Sequence, residues 1–319
     1  MKQLHVGRKA SMTFAYTTSS LNTVMPQAQP SGNCRACWQV LERFRWEAGL
    51  ALQSYGVSLG VRVTDAGLLP PVLALLPPGW AAAAMPEVDT LYSVTKIAGR
   101  SRVNPAPYYY VYRGGCLLAR SRSWDDLTAA LESDLHLAIA TRAEDHVFVH
   151  AGAVAYAGQA ILIPGRSFSG KTTLTAALVK AGAEYLSDEY AVINAAGQVL
   201  PYAKSLSMRA GAELAEGRYT AEALGGYAAS GPLPVGMIVS ARYEAGARWR
   251  PSVLTSGQAL MTLLENAVRV RELPRLAMQT LPGAVREAQS YRGRRGEADR
   301  VAAWLLARMN TLTETLHTA

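Results

Sequence analysis

Residues 165–172 of this chain form a glycine-bounded loop, Gly-Arg-Ser-Phe-Ser-Gly-Lys-Thr, whose residue types and spacing suit phosphate chemistry. The loop fits the pattern G-x-x-x-x-G-K-[ST], in which backbone amides surround the phosphates of a nucleotide. The apolar residues 160–163 before it predict a buried strand, and residues 173–180 after it predict a helix. Since this pattern requires a strand, a loop and a helix in that order, we expect nucleotide binding.

Each residue type in the loop predicts a role. Lys171 would reach the β- and γ-phosphates, and the Thr172 hydroxyl would bind Mg²⁺. ATP and Mg²⁺ are therefore the predicted cofactors, and a glycine-rich turn before an ordinary helix is the alternative. The other predicted nucleotide-binding residues are Gly165, Arg166, Ser167, Phe168, Ser169, Gly170 and Thr173.

A histidine is predicted to lie beside the mouth of this loop. If the chain makes a hairpin at residues 157–158, paired residues have numbers that sum to 315, and His150 is opposite Gly165. A functional histidine at this position is the preferred interpretation, and a structural histidine at the end of a strand is the alternative.

Two adjacent acids, Asp188 and Glu189, follow Lys171 by 17 and 18 residues. One crossover helix fills the gap and returns the chain toward the sheet edge that carries the loop. One carboxylate can then hold Mg²⁺ while the other accepts a hydroxyl proton, which is what a phosphotransferase needs. An exposed acidic turn is the alternative.

Several of these spacings resemble those of the HPr serine kinase/phosphorylase family and its shorter bacterial relatives. In that family a glycine follows a histidine by eight residues and the first loop glycine follows it by fifteen, as in this chain. A further glycine follows the loop lysine by eleven residues, and an acidic pair follows it by seventeen and eighteen. The resemblance covers roughly residues 146–210, and the matching residues are His150, Gly158, Gly165, Gly182, Asp188 and Glu189.

The resemblance implies an α/β fold with a P-loop core like the HPr kinase C-terminal domain, related to phosphoenolpyruvate carboxykinase. It implies Mg²⁺-dependent transfer of phosphate from ATP to a serine hydroxyl. Asp188 would accept the proton, and Thr172, Glu189 and Asp188 would be the metal ligands. His150 would be a supporting polar group, and Arg209 would stabilise the phosphoryl group in transfer.

Two departures from the family pattern limit what the resemblance implies. Glu189 stands where the family has aspartate, and Ser207 stands where the family has a glutamate that helps to hold metal. The loss of that glutamate should weaken a second metal site, and it argues against phosphorolysis and against HPr as the substrate.

The expected acceptor is a serine or threonine hydroxyl of a peptide or small protein. Divergent relatives lie beside genes for peptide natural products, including lasso peptides, so a precursor peptide is one candidate acceptor. The family also makes a homo-oligomer an expectation. A nucleotide-binding regulator or scaffold with little catalysis, and a kinase of a small metabolite, are the alternatives.

The chain is expected to divide into a disordered tail at 1–33, an α+β module at 34–145 that is a candidate acceptor-binding unit, and a kinase-like domain with C-terminal helices at 146–319. Predicted helices cover 37–50, 257–268 and 298–313, and another begins at the N-cap Ser123 and runs to about residue 142. Residues 57–63, 90–97, 108–112, 117–120, 185–194 and 235–243 are predicted to be strands, and 291–296 a basic loop.

The 319 residues carry a net charge of +8, with 26 arginines and 6 lysines. This balance suits a polyphosphate or an acidic peptide, or else only a solvated surface. No nucleic-acid-binding motif, secretory signal or run of about 18 apolar residues is present, so we expect a cytoplasmic protein that binds neither nucleic acid nor membrane. The lone C-x-x-C at Cys34 and Cys37, and Cys116, are expected to be reduced.

Overall fold

The computed structural model describes residues 25–28, 35–99, 105–166, 168–208 and 217–317. These residues form a mixed α/β protein with two large sheets. In chain order its helices and strands are α1 (Arg35–Leu41), β1 (Ala48–Ser54), β2 (Val57–Val63), α2 (Leu69–Leu73), β3 (Ala81–Ala82), β4 (Thr90–Ile97), β5 (Tyr108–Arg113), β6 (Cys116–Ser121), α3 (Trp124–Ala140), β7 (Val147–Tyr156), β8 (Gln159–Pro164), α4 (Lys171–Lys180), β9 (Glu184–Ser187), β10 (Tyr190–Ile193), β11 (Val199–Leu200), β12 (Leu206–Met208), β13 (Gly217–Tyr219), β14 (Val235–Tyr243), β15 (Ser252–Leu254), α5 (Ser256–Asn266), α6 (Pro274–Val285), β16 (Gln289–Arg295) and α7 (Ala298–His317).

The first sheet has the strand order β3-β1-β2-β4-β5-β6, and α3 packs against β5 and β6. Its strands β2, β4, β5 and β6 confirm the predicted strands of this region. The predicted helix cap is confirmed as well, because the Ser123 hydroxyl accepts a hydrogen bond from the Asp126 amide at 3.2 Å. These features depend on alternation and capping, which are local properties of the sequence.

The prediction of one helix over 37–50 is wrong. Helix α1 ends at Leu41, and Ala48 begins strand β1, which pairs residue by residue with β2. The guanidinium of Arg62 on β2 lies 4.2 Å from the ring centroid of Trp46, just before β1. Pairing and packing with β2 therefore override the helical appearance of this short segment.

The second sheet has the order β11-β10-β7-β8-β14-β16-β15, with β9 paired to β7. Strands β8, β14 and β16 are parallel, so their carboxyl ends meet at one edge. The hairpin between β7 and β8 turns at Ala157 and Gly158, and its pairs run from Tyr156↔Gln159 to Ala151↔Pro164. The predicted register is confirmed.

Helices cover both faces of this second sheet. On β8, Ile161 and Ile163 belong to a buried cluster that includes residues of α4 and α7, whereas Ala160 and Leu162 belong to one that includes residues of α5 and α6. A strand buried on both faces is apolar at every position rather than at alternate ones, as residues 160–163 are. The central strands are therefore fixed from two sides, and the predicted C-terminal helices are present as α5 and α7.

One face of β7 connects the two sheets. Phe148 packs into the core of the first sheet, Val154 packs against α4 and α7, and His150 and Gly152 lie between them. A Cβ at Gly152 would clash with the Thr175 hydroxyl of α4. Glycine at this position therefore lets α4 lie close to β7, beside His150.

Residues 291–296, predicted to be a basic loop, are instead largely strand β16, which pairs with β14 on one side and β15 on the other. Its Tyr291 and Arg295 side chains are buried. Three arginines and two glycines in six residues resemble a solvated turn, and only the pairing with distant strands identifies the segment as sheet.

A buried aromatic cluster holds the first sheet against the second. The Tyr55 hydroxyl donates a hydrogen bond to the Pro201 carbonyl at 3.1 Å, and the Tyr55 ring packs edge-on against Phe148. Deeper in the contact, the Tyr202 hydroxyl lies 2.7 Å from Nδ1 of His136 on α3. The two sheets thus share one core as well as specific polar contacts.

Cys116 at the start of β6 is disulfide-bonded, so the expectation that all three cysteines are reduced is wrong. Disulfide pairing depends on contacts between distant parts of the chain, which spacing in the sequence does not provide. The side chains of Cys34 and Cys37 lie outside the described residues.

Most of the predicted tail also lies outside the described residues, but Gln27 forms a parallel β-bridge with Glu87. Among the described helices, none is both long and apolar enough to span a bilayer.

Because His136 is buried in the contact between the two sheets, we expect the protein to lose stability in acid. Burial lowers the pKa of His136 to about 4, whereas an unfolded histidine titrates near pH 6.5. As pH falls below about 6.5 the unfolded chain takes up a proton that the folded state refuses, so stability is lost until about pH 4.

Urea unfolding at pH 7 and at pH 4.5 measures this loss. Wild type should lose about 2 kcal/mol more than His136→Gln over this interval. Equal losses in the two proteins would show that His136 is not held neutral by the fold.

Candidate functional site

The phosphate-loop segment leaves the end of β8 and enters α4. The Gly165 amide donates a hydrogen bond to the His150 carbonyl at 3.2 Å, which extends the hairpin pairing by one residue. A Cβ at Gly165 would lie 2.8 Å from the Ser169 hydroxyl oxygen, and Gly170 has φ 87°. Glycines at the two ends therefore permit the close turn that the pattern requires.

The N-terminus of α4 is free to bind an anion through its backbone. Gly170 is the N-cap residue and provides no side-chain cap. The amides of Lys171, Thr172 and Thr173 belong to the first turn, where a helix offers no internal acceptor. Their N–H groups and the positive end of the helix point the same way, as in phosphate-binding helices.

The Lys171 side chain is only 7% exposed and lies along the loop. Its ammonium donates a hydrogen bond to the Arg166 carbonyl at 3.1 Å. Burial lowers the pKa of Lys171, while the negative charges of Asp188 and Glu189 act in the opposite direction. The loop thus contains a partly desolvated cation within electrostatic reach of the acidic pair.

Arg295 contacts the C-terminal end of the loop. Its guanidinium is 2% exposed and donates hydrogen bonds to the carbonyls of Gly170 at 2.7 Å and Gly296 at 2.8 Å. The Tyr243 amide, at the end of β14, donates to the Ser169 carbonyl at 3.3 Å. Strands β14 and β16, which run parallel to β8, therefore fix the far side of the loop.

Asp188 and Glu189 lie in a bend between β9 and β10, both of which pair with β7. The Ser187 hydroxyl stabilises this bend by accepting hydrogen bonds from the amides of Glu189 at 3.2 Å and Tyr190 at 3.1 Å. The Ala151 amide donates to the Glu189 carbonyl at 3.1 Å. The acidic pair therefore lies beside the strand that pairs with the loop-bearing strand.

The Asp188 carboxylate is 7% exposed. It accepts hydrogen bonds from the Tyr185 hydroxyl at 3.2 Å and from the Ser207 amide at 3.4 Å. Burial raises the pKa of Asp188, and Glu189 raises it further, while Lys204 and the two donors oppose this shift. A carboxylate whose pKa is raised is a better proton acceptor than an exposed one.

The Glu189 carboxylate forms an ion pair with the Lys204 ammonium. The Glu189 carbonyl lies 2.9 Å from Nδ1 of His150. Because a carbonyl only accepts hydrogen bonds, Nδ1 carries the ring proton, and Nε2 is the unprotonated nitrogen of the neutral ring. Burial, and next Lys171, lower the pKa of His150, which favours this neutral form.

The structure brings His150, Lys171, Asp188 and Glu189 together with three residues that are not among the predicted site residues. These are Tyr185, Lys204 and Arg295, whose contacts come from tertiary structure and have no spacing signal relative to the loop. Ser167 and Arg209, both predicted site residues, lie outside the described residues.

The remaining loop residues differ in exposure. Thr172 and Thr173 are half-buried, Arg166 is exposed, and Phe168 has φ 67° and a side chain that is 86% exposed. The buried Ser169 hydroxyl has no hydrogen-bond partner among the described residues, which suits a phosphate oxygen arriving at the loop.

A magnesium site here would need oxygen atoms from the nucleotide. No group of three or more histidine, cysteine or acidic residues in the described part of the chain is arranged to hold a metal. Mg²⁺ is usually held by one or two carboxylates together with phosphate oxygens. The Thr172 hydroxyl, the acidic pair and the partnerless Ser169 hydroxyl fit a magnesium–nucleotide complex better than a metal bound by protein alone.

Two clefts adjoin these residues. The near cleft, about 290 Å³, is lined by Gly165, Arg166, residues of α5 and Arg292, and Arg292 donates to the Thr262 hydroxyl at 2.9 Å. The far cleft, about 490 Å³, is lined by residues between Leu73 and Trp80, by residues of α3 and by Lys204. A helix N-terminus, a buried carboxylate and two clefts therefore lie next to one another.

Arg294 and Arg295 are adjacent on β16, and replacing each in turn gives a matched test of stability. Arg295→Met would leave two buried carbonyls without donors, at a cost of about 2 kcal/mol in unfolding free energy. Arg294 is exposed and pairs with the exposed Glu244, so Arg294→Met should change stability by less than about 0.5 kcal/mol. Chemical denaturation compares the two variants, and equal effects would contradict the assigned role of Arg295.

Comparison with known proteins gives no family. Among protein-family models none matches the chain, and no curated protein matches it significantly in sequence.

Proposed function

We propose that the chain is an ATP- and Mg²⁺-dependent phosphotransferase with an HPr-kinase-like P-loop core, which phosphorylates a serine or threonine hydroxyl of a peptide or small protein. The contacts of one residue, His150, are the main support for the proposal. The His150 carbonyl accepts from the loop at Gly165, and its ring donates to the carbonyl of Glu189. The phosphate-binding loop and the acidic pair are thereby held on opposite sides of one residue.

In the proposed reaction, the loop amides and the Lys171 ammonium bind the β- and γ-phosphates. The acceptor oxygen forms a bond to the γ-phosphorus, and the bond from that phosphorus to the β,γ-bridging oxygen breaks. The hydroxyl proton passes to the Asp188 carboxylate, and ADP leaves. Thr172, with the acidic pair beside it, would hold Mg²⁺, whose charge offsets that of the phosphate oxygens.

The burial and the hydrogen bonds of Asp188 favour a kinase over a passive nucleotide-binding regulator. A regulator needs Lys171 and Thr172 but has no use for a buried acid. Here the Asp188 carboxylate is buried, its pKa is raised, and two donors orient it. Burying a carboxylate costs stability, and such buried acids with a raised pKa cluster at catalytic sites.

The far cleft is the proposed entrance for the acceptor. It combines the apolar side chains of Leu73, Leu76 and Trp80 with the charged residues Glu132 and Arg218. Lys204, which pairs with Glu189, forms part of its wall, so the cleft adjoins the acidic pair. An extended peptide with an apolar residue near its acceptor serine fits these walls, and a precursor peptide of a natural product is one such acceptor.

Transfer of label from γ-labelled ATP to a panel of serine and threonine peptides tests the proposal. Asp188→Asn should lower the rate at least about 100-fold, which is the low end of what a general base contributes. Asp145→Asn is the matched control, because Asp145 is exposed in the turn before β7.

Two results would replace the proposed function with another one. Equal, negligible transfer by wild type and Asp188→Asn, with ATP bound by both, would leave a nucleotide-binding regulator. Transfer to free serine but to no peptide would identify a small-metabolite kinase.

Thermal stabilisation by ATP and Mg²⁺ tests the loop separately. At a nucleotide concentration of 100 times Kd, wild type should gain about 2.7 kcal/mol. Lys171→Ala should lose this gain, and Lys180→Ala should keep it, because Lys180 is exposed at the other end of α4. An undiminished shift in Lys171→Ala would mean that nucleotide binds elsewhere.

A further inference from the structure

Lys204 is fixed at the acidic pair by both its backbone and its side chain. Its carbonyl lies 2.8 Å from the Tyr185 hydroxyl, which shares its one proton between this carbonyl and the Asp188 carboxylate, and its amide donates to the Tyr202 carbonyl at 3.0 Å. Its ammonium pairs with Glu189, and the two side chains are 14% and 22% exposed. This ion pair is therefore much less hydrated than a surface salt bridge.

The ammonium balances a local excess of negative charge. Asp188 and Glu189 are adjacent, so their negative charges repel each other. The Lys204 ammonium, paired with Glu189, offsets this repulsion. It thus supplies at this site the positive charge that a bound metal ion supplies elsewhere.

The surrounding residues offer little else to a divalent ion. The Ser207 amide contacts Asp188, but residue 207 contributes a hydroxyl rather than a carboxylate, and its side chain is exposed. Within the described ranges, no set of three metal-binding side chains is available. Glu189, the most accessible carboxylate of the pair, is already engaged by Lys204.

We propose that Lys204 is a resident cation that competes with divalent metal for Glu189 and limits the site to one metal ion per nucleotide. Many phosphoryl-transfer sites use two metal ions to neutralise charge. Here the lysine ammonium provides one of these charges permanently. The competition for Glu189 requires only the observed ion pair, whereas the limit per nucleotide rests on the proposed function.

Mn²⁺ binding without nucleotide tests the competition, with calorimetry or the Mn²⁺ spin-resonance signal as the readout. Lys204→Met, which removes the charge but keeps the length, should bind Mn²⁺ at least tenfold more tightly than wild type. Lys204→Arg should resemble wild type, because it keeps the charge. Lys180→Met is the surface control and should have no effect.

The double variant Lys204→Met/Glu189→Gln assigns the gained affinity to Glu189, and it should return Mn²⁺ binding to the wild-type level. Lys204→Gln, which retains a hydrogen-bond donor, replaces Lys204→Met in every comparison if the methionine variant does not fold. Mn²⁺ affinity that is equal in wild type and in the folded neutral variant would overturn the inference.

A second titration uses a non-hydrolysable ATP analogue. Wild type should bind one Mn²⁺ per analogue and the neutral Lys204 variant two, and two in wild type would overturn the limit per nucleotide. If neither protein binds the analogue but the neutral variant gains Mn²⁺ affinity, the competition stands and the proposed function fails. The two ideas are thus separated by their outcomes.

Discussion

The register of β7 is the constraint on which the rest of the site depends. This strand pairs with β8, which carries the phosphate loop, and with β9 and β10, which flank the acidic pair. Since side chains alternate across a strand, a shift of one residue would turn His150 away and bring its neighbours to the site. The burial of both faces of the sheet makes such a shift costly, so packing far from the site fixes the geometry within it.

Charge inside the site is balanced over short distances. Lys171 and Lys204 are the cations, Asp188 and Glu189 the anions, and all four are largely removed from water. A buried charge is tolerated only with a partner, so each member of this group depends on the others. The opposing shifts in pKa of Lys171 and Asp188 have the same origin, which is desolvation of the charged form of each group.

Local signals in the sequence were enough for much of the fold. The Ser123 cap, the hairpin at Ala157 and Gly158, and strands β4 and β14 were predicted because each is determined by neighbouring residues. The approach of His150 to Gly165 followed from the hairpin register alone. The candidate site was predictable to the extent that it lies on this hairpin and on the helix that follows.

Contacts between distant segments account for what the sequence did not predict. Ala48–Ser54 is a strand because β2 is beside it, and residues 291–296 are mostly strand because β14 and β15 enclose them. Lys204 and Arg295 reach the site from segments whose local pattern contains no sign of the loop. The fold class and the loop were therefore accessible from sequence, whereas the residues that support the site required the tertiary structure.

The hydrogen bond between Tyr202 and His136 has a mechanical consequence. Tyr202 precedes Lys204 by two residues, and His136 belongs to the helix that packs on the first sheet. A displacement of that helix would pull on the short segment that carries the lysine and would strain its ion pair with Glu189. The contacts of Tyr202 therefore join a helix that lines the far cleft to the residue that balances charge at the acidic pair.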